Sequence, residues 1–175
     1  MKRTRGPDAS LRLMIMDADV LIDFLKVDRS VLNLIVQYVG PIHVVSPVAG
    51  EIGEVDDEEE LVELGLLIIE PEVEDGFEAM DWPPGPTSFQ DRLCLLTARR
   101  HGYTCVTNDK RLRKLCAREN VPVLWSLELM LELHGAGGIS TEDALDIATG
   151  IHEVNSRHIT LDILDRFRVR LRGKG

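Results

Sequence analysis

The stretch Leu13–Phe24, LMIMDADVLIDF, decides the fold. Its first four residues, Leu13-Met14-Ile15-Met16, are apolar without alternation, the pattern of a short strand buried on both faces. The apolar run breaks at Asp17, Asp19 follows, and Val20, Leu21 and Phe24 then recur at helical spacing. Asp19 suits a first helical turn, where a carboxylate meets unpaired N–H groups and the positive end of the helix dipole. A strand passing into a helix through two acids sets them just outside the strand's carboxyl end, where open α/β sheets bind ligands. The plainer alternative makes Asp17 a helix cap and Asp19 its solvated neighbour.

Working outward, the same alternation repeats. Helices are expected over 19–26 and from Ser30 as cap through Tyr38, the second stopped by Gly40-Pro41. Ile42–Val45 reads as a second buried strand, and Ser46-Pro47 opens a helix whose second turn carries Glu51, with Glu54 on the same face. Asp56–Glu60 reads as a solvated helix surface and Leu66–Ile69 as a third strand. Residues 70–87, rich in proline and acid, are expected to form an irregular surface loop or lid. The helix SFQDRLCLLTARRHG from Ser88 leads to a fourth strand, Tyr103–Val106, ending in Thr107-Asn108-Asp109. A helix over 110–119, a fifth strand over 121–125 and a helix over 126–134 complete the pattern, and two more helices follow at about 141–154 and 160–171. Strands and helices in this rhythm mean a parallel sheet covered on both faces by right-handed crossovers.

At 175 residues the chain suffices for one domain with an extension. A hydrophobic fraction of 44% beside 29% charged residues is that of an ordinary globular chain. No apolar run reaches the roughly 20 residues of a membrane span, and the basic start Lys2-Arg3-Thr4-Arg5 lacks the h-region of a signal peptide. Cys94, Cys105 and Cys116 are odd in number with no C-x-x-C pair, and read as buried apolar side chains in a reducing compartment. The expected location is the cytoplasm. The net charge of −10 is the wrong sign for a nucleic-acid binder, but it is unevenly spread. Residues 51–81 hold 14 acids and no Lys or Arg; residues 88–118 hold eight basic residues against Asp91 and Asp109, so 8 − 2 = +6. A polyanion would meet the second segment and avoid the first. Residues 1–10 read as a loose polar arm, and Arg166, Arg168, Arg170, Arg172 and Lys174 make the tail basic.

Four acids stand out by position: Asp17 at the end of strand one, Glu51 after strand two, Asp91 early in the helix before strand four, and Asp109 at the end of strand four. If strand four lies beside strand one, opposite strand two, Asp17 and Asp109 face each other across the switch point, and the flanking helices bring in Glu51 and Asp91. The strings MIMDADVLID, SPVAGEI and SFQDRLCLLTARRHGYTCVTNDKRL resemble the PIN domains, metal-dependent nucleases that include VapC-type toxin ribonucleases. The likeness covers roughly residues 12–135 and is most specific from Asp91 to the T-x-D ending at Asp109. It implies a three-layer α/β/α sandwich on a five-stranded parallel sheet in the order 3-2-1-4-5, spanning residues 1–138. A helical extension over 139–175 would pack on this domain or on a dimer partner. It also implies that Asp17, Glu51, Asp91 and Asp109 are the site acids. Asp19 stands where members often have Asn or Ser and would support the site, and Glu54 competes with Glu51 for its place.

Crowded carboxylates repel one another unless a cation neutralises them, and all-oxygen ligands suit Mg²⁺ or Mn²⁺. Such an ion activates a water and stabilises charge on a phosphoryl group, the chemistry of phosphodiester hydrolysis in RNA. In this reading Asp17, Asp91 and Asp109 bind metal, Glu51 ligates it or positions the water, and Thr107 and Asp19 orient the ligands. Arg92, Lys110 and Arg111 are candidates for the RNA backbone, or else solvated basic helix faces, and an antitoxin protein is a candidate partner. The histidines show no catalytic pairing and read as structural. One rival is a haloacid-dehalogenase-like phosphatase, with Asp17 as nucleophile and Asp19 as acid/base, but the paired acids expected after a later strand are absent. A response-regulator receiver fits worse, and the remaining rival is a non-catalytic protein-binding module.

Overall fold

The computed structural model describes residues 11–173; the polar arm expected over 1–10 and Lys174 of the basic tail lie outside them. Strand β1 (Met14–Met16) is fully buried, as its unbroken apolar run requires. It pairs in parallel with β2 (Ile42–Val45) on one side and β4 (Thr104–Val106) on the other, so that Ile15 lies level with both His43 and Cys105. Beyond them lie β3 (Leu67–Ile69) and β5 (Val123–Leu124), also parallel. The order is β3-β2-β1-β4-β5, which puts the switch point between β1 and β4.

Helices cover the sheet in two layers. One is built by α5 (Val73–Asp81), α6 (Phe89–His101) and α7 (Lys110–Arg118), with α6 lying across β1, β2 and β4. The other contains α1 (Ala18–Val27), α2 (Ser30–Tyr38) and α8 (Ser126–Gly135). The extension supplies α9 (Thr141–Val154) and α10 (Leu161–Arg172), which pack on α1 and α8 within the same chain. Ala144, Ile147, Ala148, Ile151, Leu164 and Phe167 join the hydrophobic core shared with β1. Gly150 permits this approach, since a Cβ there would lie 2.6 Å from Val27 Cγ1. Among the described residues no helix is long and apolar enough to cross a membrane.

Three local expectations need correction. The helix opened by Ser46-Pro47 is one turn only, α3 (Ser46–Ala49), and the chain beyond it turns Ile52 into the core. Glu51 and Glu54 therefore sit in turns, not on a shared helix face. Residues 70–87 are not all irregular: Val73–Asp81 is helical, and α5 faces α6 with Asp75 and Ala79 instead of large apolar residues. Ser30 is the first residue of α2, and Asp28 accepts its N–H at 3.0 Å and its hydroxyl at 2.6 Å. The run after Asp56 does form a solvated helix, α4 (Glu58–Glu63), capped by Asp57. All three cysteines are buried and free.

Candidate metal centre

Asp17 ends β1 and caps α1, so the plain reading of it is true as far as it goes. Its Oδ1 accepts the Val20 N–H at 2.9 Å and its Oδ2 accepts the Thr107 hydroxyl. Only 2% of the residue is exposed. Burial pushes its carboxyl up to about 8 although both hydrogen bonds favour the ionised form, and nearby Asp19 and Asp91 push the same way. A cap alone requires no such burial. Asp19, one residue into α1, is exposed.

The end of β4 is held as a rigid hook. Thr107, besides donating to Asp17, accepts the Asp109 N–H at 3.1 Å. Asn108 donates to Ser126 Oγ and accepts the Ser126 N–H, both at 2.9 Å and buried, which ties the hook to the start of α8. Asp109 caps α7, its Oδ1 accepting the Arg111 N–H at 2.7 Å. Asp91 enters from α6, where it and Ser88 form a capping box that fixes one of its carboxylate oxygens. Burial raises the Asp91 pKa, with Asp19 and Asp109 adding to the rise. Asp17, Asp19, Asp91 and Asp109 thus share one electrostatic field at the carboxyl ends of β1 and β4.

The closest grouping within that field includes a residue not anticipated there. Among the described residues, ligand atoms of Asp19, Asp109 and His158 all lie within 4.8 Å of one another, a spacing at which three groups can share an ion. Asp17, Asp91 and Asp109, expected to be the metal-binding trio, do not form such a set. His158 lies in the turn between α9 and α10, and that turn is anchored. Asn155 Nδ2 donates to the buried Asp23 of α1 at 2.8 Å, and His152 Nδ1 donates to the Ile159 carbonyl at 2.6 Å. Burial lifts the Asp23 carboxyl to about 6 against the Asn155 hydrogen bond and the pull of His158 and Lys26. The other histidines do serve structure: His43 donates to the Met14 carbonyl at 3.0 Å, His134 bonds Thr141 at 3.0 Å, and His101 stacks on Tyr103. No sequence signal marked out His158, which lies 158 − 109 = 49 residues beyond the last strand-end acid.

The remaining expected residues divide. Glu51 is exposed at the rim and accepts from Gln90 Nε2 at 2.5 Å, beside Asp91. Glu54 is drawn away, pairing with Lys26 in the last turn of α1 at 3.7 Å, whereas Asp19 is in the first turn. Arg92 donates to the carbonyls of Ala79, Trp82 and Pro83 at 3.0–3.2 Å, which makes it the clasp of the 82–83 corner. Lys110 and Arg111 are exposed on the first turn of α7. Two cavities of about 580 Å³ each flank that helix. One, beneath the proline-rich 82–87 segment, is lined by Arg111, Lys114 and Arg118. The other is lined by Lys110, Arg113, Lys114, Arg157 and His158, with the Arg113 guanidinium 3.4 Å from the centroid of the Trp125 ring.

The donor chemistry fits a hard or borderline divalent cation. Carboxylate oxygens and one imidazole converge, and Asp17, buried among like charges, gains most from a positive neighbour. No family model matches the chain, and no curated protein or solved structure does. The fold and site define an open parallel α/β protein with a carboxylate cluster at its switch point.

Proposed function

We propose that this chain is a divalent-metal-dependent endoribonuclease of the PIN type. The observation that carries the reading is the meeting of Asp17, Asp19 and Asp109 at the switch point of a 3-2-1-4-5 parallel sheet, where Thr107 bonds both Asp17 and the Asp109 backbone and where Asp19 and Asp109 have ligand atoms within 4.8 Å of one another. The reading is also the one that the likeness around Asp91–Asp109 implies. A bound Mg²⁺ or Mn²⁺ supplies an activated water and a counter-charge for a phosphoryl oxygen.

The chain's own groups do the rest. Asp19 is exposed and Asp109 half-buried, and their carboxylates come within 4.8 Å of each other, while Asp17 lies buried behind them at the end of β1. Burial pushes the Asp17 carboxyl up to about 8, and a cation at the cluster would favour its ionised form. Thr107 orients Asp17 and Asp109 together, its hydroxyl bonded to one and its oxygen to the backbone of the other. Glu51, bonded to Gln90 beside Asp91, is the candidate for orienting a water. Lys110, Arg111 and Lys114 supply positive charge along α7 for the phosphates on either side of the scissile bond.

Incubating the protein with single-stranded RNA and Mn²⁺, beside Asp17→Asn and Asp109→Asn variants, tests the proposal. Cleavage should fall by roughly 100-fold or more in both variants. RNA left intact by the wild type, or cut equally well by the variants, overturns it. Tight binding of a neighbour-encoded protein without cleavage would favour the non-catalytic module instead.

A further inference from the structure

Resting on that reading, we propose that His158 of the C-terminal extension is a nitrogen ligand to the cation, making the centre a mixed nitrogen–oxygen site that prefers Mn²⁺ to Mg²⁺. The imidazole lies with Asp19 and Asp109 inside a 4.8 Å spread of ligand atoms. On one octahedral ion with bond lengths of about 2.1–2.2 Å, neighbouring donors stand about 3.0 Å apart and opposite ones about 4.2–4.4 Å, so side-chain rotamer changes must draw the three groups in on the ion. His43, His134 and His152 each commit one ring nitrogen to a bond elsewhere, whereas among the described residues no hydrogen bond engages the imidazole of His158.

His158 is also held where it stands. The Asn155–Asp23 bond pins its turn to the helix that carries Asp19, and α9 packs against that helix along its length. The extension therefore brings a ligand into the site as well as covering α1. The neighbouring cavity, lined by Asn108, Lys110, Arg113, Lys114 and Arg157, meets the cluster through His158 alone. Mg²⁺ takes oxygen ligands almost exclusively and keeps its waters, whereas Mn²⁺ accepts an imidazole, so the histidine sets the preference.

The test loads the full chain with Mn²⁺ and reads nitrogen hyperfine coupling by pulsed electron paramagnetic resonance, alongside calorimetric titration with Mn²⁺ and Mg²⁺. Wild type should show imidazole coupling, which His158→Gln abolishes. The same substitution should weaken Mn²⁺ by roughly tenfold or more and Mg²⁺ by less than about threefold. His158→Glu, which returns a carboxylate, should bind both ions without nitrogen coupling and shift the preference toward Mg²⁺. Wild-type protein that binds Mn²⁺ without nitrogen coupling overturns the role of His158 and leaves the ribonuclease reading standing. Wild-type protein that binds no Mn²⁺ overturns both. Imidazole coupling that survives in His158→Gln assigns the nitrogen to another histidine and overturns the proposal, and His158→Glu makes the same comparison if His158→Gln fails to fold.

Discussion

Asp17 is costly to the fold as a bare carboxylate. In the folded chain its carboxyl titrates near 8, against an ordinary value of 3.8, chiefly because it is buried. Between those values the folded state binds a proton that the unfolded state has released, so the contribution to stability is complete below about 4 and is lost as pH rises through 8. Asn in its place still caps α1 through its amide oxygen but carries no charge. In metal-free buffer Asp17→Asn should therefore be more stable than wild type by roughly 2–5 kcal/mol at pH 8, with the difference shrinking toward pH 4. Urea denaturation with a chelator present measures this, and equal stability at pH 8 would refute it. Thr107 acts in the opposite direction, because its hydroxyl bond favours the ionised Asp17. Thr107→Val should cost about 1–3 kcal/mol, leaving the Asp109 N–H without its acceptor. It should also move the onset of Mn²⁺ binding to higher pH; an onset that stays put would mean that the hydroxyl does not tune Asp17.

Among the elements, the approach of α9 to α1 is the most sharply specified. Helix propensity alone would make Gly150→Ala stabilising by about 0.8–1 kcal/mol. The added Cβ, 2.6 Å from Val27 Cγ1, instead forces the helices apart, and overpacking of this kind costs about 1–3 kcal/mol. Val27→Ala removes the obstruction, so Gly150→Ala should turn neutral or stabilising in that background, and a double-mutant cycle by urea denaturation isolates the coupling. Additive effects would mean that the helices do not meet there. The same physics explains which elements were legible in the sequence. β1, β2 and β4 are short apolar runs because both of their faces are covered, and Ser88 and Gly102 mark both ends of α6. α5 was hidden by the proline and acid of residues 70–87, which read as a loop although Val73, Phe77 and Met80 recur at helical spacing. Val73, Phe77 and Met80 face outward, while the inward side is held by the Asp75–Arg100 ion pair at 2.8 Å and the Glu78–Arg99 pair at 2.6 Å. A periodicity argument assumes that the apolar face is the buried one, and here it is not.

At the scale of the whole molecule, folding redistributes charge that a count along the chain cannot follow. The acidic 51–81 segment is partly neutralised, because Arg99 and Arg100 fold back onto Glu78 and Asp75 while Lys26 and Arg29 meet Glu54 and Glu60. The basic tail is spent similarly, with Arg166 on Asp162 and Arg168 on Asp165. The site was legible as far as its strand-end acids, which follow from the topology. His158 was not, since only the packing of α9 on α1 returns the far end of the chain to the switch point. Among the described residues no ion pair engages Lys110, Arg111, Lys114 or Arg118, and this helix, flanked by its two cavities, is where the chain's positive field is concentrated. Lys114 lines both cavities, so on the proposed reading a strand of RNA crossing from one to the other would pass over it and over the α7 N-terminus, where Asp109 sits. Arg111→Ala with Lys114→Ala should weaken binding of single-stranded RNA and lower the slope of log affinity against log salt by roughly 0.7 for each phosphate that the helix no longer neutralises. Arg166→Ala, which removes a charge already paired, should leave the slope unchanged. Fluorescence anisotropy across a salt series measures both, with a non-cleaving Asp109→Asn background keeping the RNA intact. A slope indifferent to Arg111 and Lys114 but reduced by Arg166→Ala would move the RNA path from α7 to the C-terminal helix.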